Sequence, residues 1–179
     1  MILGPKKLLE LVRQKKLVEG LSDRELTNPE GAGFDFRLGE VYKISGSAFL
    51  GETHRKTADI KLVQKYEKGK KKTVKIKPGD FYLATTIESV NTPKNLTIDF
   101  KPRTTTFRSG LFLRTGNVAP GYRGPLTFAI KNEGPITVEI EMGARIVHAQ
   151  FKEVKGGGSM YRGQWQGGRV SATKRERQV

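Results

Sequence analysis

The feature that most narrows the fold is a change of hydrophobic period about twenty residues into the chain. Residues 5–19 (PKKLLELVRQKKLVE) place Leu8, Leu11, Val12 and Val18 at helical spacing, which predicts a short amphipathic helix with one face on a core. Pro5 suits the first helical position, where its missing N–H costs nothing, and Gly20 suits the end, where a left-handed residue is wanted. From there onward apolar residues recur every second position. Residues 74–77, 81–90 and 96–100 read as strands, broken at Pro78-Gly79-Asp80 and Asn91-Thr92-Pro93. Leu126, Phe128 and Ile130 alternate, as do Ile136, Val138 and Ile140, and a further strand over 145–154 follows the turn at Met142-Gly143. One helix followed by many short strands at about ten-residue spacing predicts a mainly β domain, a sandwich or jelly-roll-like barrel, over residues 1–155. Residues 156–179, opening on three glycines, lack core periodicity and read as a flexible basic tail that is mobile or docks elsewhere.

Composition removes several classes of function. With no Cys there is no disulfide scaffold, thiol nucleophile or cysteine-bound zinc. The two His, His54 and His148, form no HExxH pair, so no zinc site is expected. No apolar run reaches the ~20 residues of a membrane span and no signal peptide is evident, so the expected setting is the cytoplasm, away from membranes. The net charge of +15 is concentrated in two short segments. Lys65–Lys77 holds seven Lys against one Glu, and Arg169–Val179 holds four basic residues against one Glu. Such runs read first as solvated loops or hairpin tips and second as attraction to an anionic partner, nucleotide phosphate or nucleic acid. Tyr66 is the lone aromatic near the lysines, which is no base-stacking platform.

Four polar, Gly-rich or Arg-bearing stretches at strand ends could carry chemistry: Gly33–Gly39, Pro102–Gly110, Val118–Gly124 and Tyr161–Gly167. Each doubles as turn chemistry. In Arg103-Thr104-Thr105-Thr106-Phe107-Arg108, two Arg flank three hydroxyls, a donor set suited to phosphate oxygens.

Taken in order, these segments resemble the trimeric dCTP deaminase and dUTP pyrophosphatase superfamily, closer to the deaminase branch. GFDFRLG (33–39) is similar to S-V-D-L-R-L-G, FYLATTIESV (81–90) with Pro93 to L-A-T-T-x-E-x-V-x-x-P, and RTTTFR (103–108) to R-S-S-x-x-R. VAPGYRG (118–124) is similar to I-D-P-G-[WF]-x-G, GARIVHAQF (143–151) to G-x-R-I-x-Q-x-x-F, and YRGQWQG (161–167) to Y-x-G-K-Y-Q-G. The resemblance implies a dUTPase-like (β-clip) distorted barrel assembled as a homotrimer, with active sites at subunit interfaces. These would bind a dCTP- or dUTP-type nucleotide carrying Mg2+ on its phosphates, without zinc.

Carried over residue by residue, the resemblance makes Thr104 and Arg108 the catalytic hydroxyl and arginine. It gives Arg103, Thr104, Thr105, Arg108, Tyr122, Tyr161, Gln164, Trp165 and Gln166 substrate contacts, with the tail as a possible lid over a neighbouring subunit's site. Gln164 stands where a phosphate-binding Lys is usual and Trp165 where Tyr is usual. The two carboxylates are missing. Ala129 holds the position of the deaminase general base and Ala119 that of the pyrophosphatase Asp. A methyl group can neither accept a proton nor orient a hydroxide. The chain therefore reads as a deoxypyrimidine triphosphate-handling protein with weak or absent turnover. The alternatives are an inactive nucleotide-binding or regulatory homologue and, less favoured, a basic nucleic-acid-associated trimer. Asp35 keeps the acid of its motif, and His148, inside a strand, reads as a packed or interface residue.

Overall fold

The structure, a computed structural model, describes residues 1–178. The leading helix α1 (Pro5–Lys15) buries Leu8 and Leu11. It ends four residues earlier than its periodicity predicts: Lys16, at φ 51, takes the left-handed position expected of Gly20 and returns its N–H to the carbonyls of Leu11 and Val12. The next residues pay more into the sheet than into another turn of helix. Leu17 is buried, and β1 (Val18–Glu19) pairs with a later strand. A second short helix, α2 (Asp23–Thr27), is capped by Ser22, whose hydroxyl accepts from the Glu25 N–H.

The strands follow as β2 (Phe34–Ser45), β3 (Phe49–Leu50), β4 (His54–Lys56), β5 (Asp59–Lys65), β6 (Thr73–Ile76), β7 (Phe81–Asn91) and β8 (Leu96–Pro102). After the one-turn helix α3 (Thr104–Arg108) come β9 (Leu111–Arg114), β10 (Asn117–Val118), β11 (Arg123–Asn132), β12 (Val138–Glu141), β13 (Arg145–Glu153) and β14 (Glu176–Arg177). The mainly β expectation holds. The main sheet runs β10-β8-β13-β2-β7-β11-β9 and is antiparallel throughout, with β1 added to β7 and β5 to β2.

Strand β2 is the hub. Its first half pairs with β13 and its second with β5 and β7. The change of partner occurs around Gly39, where a Cβ would stand 2.8 Å from the Thr86 carbonyl group. Only glycine permits that approach. The sheet curls until β8 and β9, near its two ends, touch, and Phe100 of β8 meets Phe128 of β11 edge-on at 6.3 Å. Inside the curl lie Phe34, Phe36, Leu38, Ile98 and Phe151, all fully buried. Each stabilises the fold by about 1.5–3 kcal/mol.

The Lys65–Lys77 run spans the end of β5, a connecting turn and β6. Its one acid, Glu67, pairs with both Lys70 and Lys72, and these lysines hold its carboxyl down at about 2. Among the described residues no helix is long and apolar enough to cross a membrane.

Candidate functional site

The turn between β10 and β11 carries the VAPGYRG segment, and the tail lies directly against it. Tyr161 donates its N–H to the Pro120 carbonyl at 2.6 Å, and Gly167 donates to the Arg123 carbonyl at 2.8 Å. Gln166 is bidentate: its side-chain oxygen accepts from the Arg123 N–H at 2.9 Å, and its amide donates to the Gly121 carbonyl at 3.0 Å. The contact is backbone-close because Gly124 sits there at φ 128; a Cβ on it would lie 2.6 Å from the Gly167 backbone. Tyr122 and Tyr161 meet edge to face with centroids 5.5 Å apart, and the Tyr161 hydroxyl accepts from the Trp165 N–H at 3.1 Å. Burial, with Tyr161 alongside, pushes the Tyr122 phenol up to about 12, so it stays protonated and donates to the Pro125 carbonyl at 2.7 Å.

Turn and tail together wall a cavity of about 640 Å3. Tyr122, Tyr161 and Trp165 form one side; Phe81, Leu83, Phe100 and Leu126 form the floor, with Asn117, Thr57 and Thr127 as polar points. Ala119 lies in the wall. Ala129 pairs across the sheet with Leu83, a floor residue, so its methyl lies on the same face. Among the described residues none lining the cavity is acidic, and the one charged group there is Arg169. A mostly apolar concavity with a few polar points is the ordinary form of a small-molecule site.

The tail is held on its own chain. Gln164 bridges the Arg55 guanidinium and Glu176, the Arg55 guanidinium lies 5.8 Å from the Trp165 ring centre, and β14 pairs with β4. Ala172 is fully buried and exchanges backbone and hydroxyl hydrogen bonds with Thr57.

The RTTTFR segment lies elsewhere. Thr104, Thr105 and Arg108 are exposed on α3, Thr106 is buried, and none of residues 103–108 lines the cavity of the same chain. Of the nine residues expected to contact substrate, the structure thus joins Tyr122, Tyr161 and Trp165 at the cavity. Gln164 and Gln166 brace its wall, and Arg103, Thr104, Thr105 and Arg108 stand apart.

Arg103 belongs to an assembly that periodicity does not reveal. Asp35, 5% exposed, receives Arg103 Nε at 2.9 Å, Arg145 Nη1 at 3.0 Å and His148 Nδ1 at 2.9 Å, with Arg24 at 3.9 Å. Its own N–H donates to the buried Glu25 carboxylate at 3.0 Å. Burial pushes the Asp35 carboxyl up, but His148, Arg103 and Arg145 outweigh it and leave the group below its ordinary range. An ionised carboxylate can only accept, so His148 Nδ1 carries the proton. His148 is thus packed, as expected, and also bonded. The pairing of GFDFRLG with GARIVHAQF in the folded sheet sets His148 opposite Asp35.

Among the described residues no three His, Asp or Glu side chains gather into a group able to hold a metal ion. The donors flanking α3 are cationic or hydroxylic, which suits phosphate oxygens rather than a bare cation.

A mainly β chain with this cavity and this order of turns falls within one class. Residues 2–154 match the dCTP deaminase-like family, and the chain belongs to it. It is 30% identical over 168 residues to a dCTP deaminase of Thermococcus kodakarensis, covering 93% of this chain and 96% of that one. It is also 30% identical over 156 residues to a dUMP-forming dCTP deaminase of Dictyoglomus turgidum (84% and 79%). Over 142 residues it is 30% identical to a probable deoxyuridine 5'-triphosphate nucleotidohydrolase of Methanothermobacter thermautotrophicus (79% and 89%). The crystal structure of the 2'-deoxycytidine 5'-triphosphate deaminase of Agrobacterium tumefaciens superposes with a TM-score of 0.65 at 18% identity. It covers 84% of this chain and 46% of that one, a likeness of fold.

Proposed function

We propose that this chain binds a pyrimidine deoxynucleoside triphosphate, dCTP or dUTP, in the cavity between the β10–β11 turn and the tail, and turns it over slowly or not at all. The base and sugar would pack on Tyr122, Tyr161 and Trp165, leaving the phosphates at the mouth. The observation that carries this reading is the cavity's composition: shaped and aromatic, with Ala119 in its wall and no acid among its lining residues. Loss of a positioned general base costs about 10²–10⁴ in rate, while the binding surface remains.

The exposed Thr104, Thr105 and Arg108, set apart from the cavity of their own chain, suit the cavity of a neighbour in a homotrimer. There Thr104 and Arg108 would donate to phosphate oxygens, and Arg103, fixed by Asp35, would set the angle at which α3 meets them. Mg2+ would arrive on the triphosphate as part of the substrate. The basic run supports a nucleic-acid partner less well, since two of its lysines are paired with Glu67 and it carries no base-stacking platform.

Trp165 is the chain's single tryptophan and lines the cavity, so its fluorescence reports occupancy directly. Titration with dCTP and dUTP in Mg2+ is expected to saturate, while uracil formation and pyrophosphate release stay at least about 100-fold below those of Ala129→Glu or Ala119→Asp. No saturable binding overturns the reading. So does wild-type turnover equal to that of the acid-bearing variants.

A further inference from the structure

A triphosphate brings several negative charges, and the wall of this cavity offers one positive group. That group is Arg169, just past the turn-docked segment of the tail. Gln164 brings no charge and is already committed to Arg55 and Glu176. Arg169 is occupied as well, but by an anion of the chain's own. Its Nη1 donates to Glu176 Oε2 at 2.9 Å, its Nη2 donates to Glu176 Oε1, and its Nε donates to the Ser171 carbonyl at 3.0 Å. Two parallel bonds from one guanidinium to one carboxylate have the geometry with which arginine also grips phosphate.

We propose that Arg169 is the phosphate-binding group that the chain contributes to its own cavity, and that Glu176 fills its guanidinium as an internal anion until a nucleotide phosphate displaces it. The inference rests on the nucleotide reading of the cavity. It names the tail residue that recognises the phosphate and the acid that competes for it.

Displacement is feasible because the pair is loosely held. Arg169 is 41% and Glu176 27% exposed at their side chains, so solvent screens their attraction. Glu176 is ionised near neutrality, since Arg169 holds its carboxyl below the ordinary range. The strand carrying it, β14, pairs with β4 over two residues only. A phosphate offers more charge and more acceptor oxygens than a carboxylate. When it replaces Glu176, the competing acid loses its strongest tie, and β14 loses part of what holds it on β4.

The test compares dUTP with deoxyuridine, which has the same base and sugar but no phosphate, by Trp165 fluorescence and calorimetry. Arg169→Gln is expected to weaken dUTP binding about tenfold and to leave deoxyuridine binding unchanged. Glu176→Gln, which keeps the shape and the Gln164 contact, is expected to tighten dUTP binding about threefold. That gain vanishes in the double variant. Unchanged dUTP affinity in Arg169→Gln overturns this assignment alone. Equal loss of dUTP and deoxyuridine binding also overturns it, since the tail would then be only a wall. Failure of the unaltered chain to bind either probe overturns the nucleotide reading itself. Melting temperatures of all variants separate lost folding from lost binding.

Discussion

The cavity beside the tail and the Asp35 assembly are finished in opposite ways. The cavity is apolar, and no acid is among its lining residues. The other region buries a carboxylate and saturates it with Arg103, Arg145 and His148. A carboxylate can serve as a base only if it has a free lone pair and a proton affinity near the working pH. Asp35 has neither: its oxygens are taken by the N–H groups of Arg103, Arg145 and His148, and its carboxyl lies below the ordinary range. The acid retained from the GFDFRLG motif therefore cannot replace those missing at positions 119 and 129. It fixes Arg103 at the start of α3.

The contrast can be tested by removing charge on one side. Asp35→Ala leaves Arg103 and Arg145 without their carboxylate, and should cost about 3 kcal/mol, or roughly 6–12 °C in Tm for a chain of this size. Urea and thermal unfolding read the effect; a loss below about 1 kcal/mol would mean that the cations are solvated rather than buried.

The next effect is in pH. The lowered carboxyl of Asp35 favours the ionised form in the fold, so its stabilisation is complete above the ordinary carboxylate range and is lost as pH falls toward the folded value. Glu88 runs the other way. It is fully buried, and burial raises its carboxyl although Arg37 Nε bonds it at 2.6 Å and the Arg37 N–H at 2.7 Å. Stability linked to protonated Glu88 is therefore present below its ordinary range and lost as pH rises through the raised value. Asp35→Asn should flatten the loss of stability on acidification, and Glu88→Gln should steepen it, by about 1 kcal/mol or less. Identical acid limbs in both variants would break the distinction between the two carboxylates. The smallest change is expected for His148→Gln, which keeps a donor for Asp35 and should move stability by less than about 1 kcal/mol.

Much of the strand framework was legible in the chain, because alternating burial leaves a period-two trace and Pro-Gly turns interrupt it. Phe81–Asn91, Arg123–Asn132 and Arg145–Glu153 fall where the alternation predicts them. The end of α1 was not, because Leu17 and Val18 fit a helical face as well as they fit the core and the short β1 pairing they enter. Helix α3 was missed for a related reason: five residues rich in Thr carry no helical period. Of the site, the turn was readable from Gly and Pro spacing, and its tyrosines and the two alanines in place of acids only through the family resemblance of the ordered motifs. The cavity itself was not, since Phe81, Phe100 and Trp165 converge from strands and a tail distant in sequence.

The residue types alone determined that no acid stands at positions 119 and 129, that the chain holds one tryptophan, and that strands predominate. Which charges meet was decided by the folded sheet. Arg145 and His148 are three residues apart, which would put them on opposite faces of a regular strand. A bulge between Arg145 and Val147 against β2 reverses that order and points both at Asp35. The extra residue is accommodated only when a partner strand exists to be out of step with, so this contact belongs to the tertiary structure.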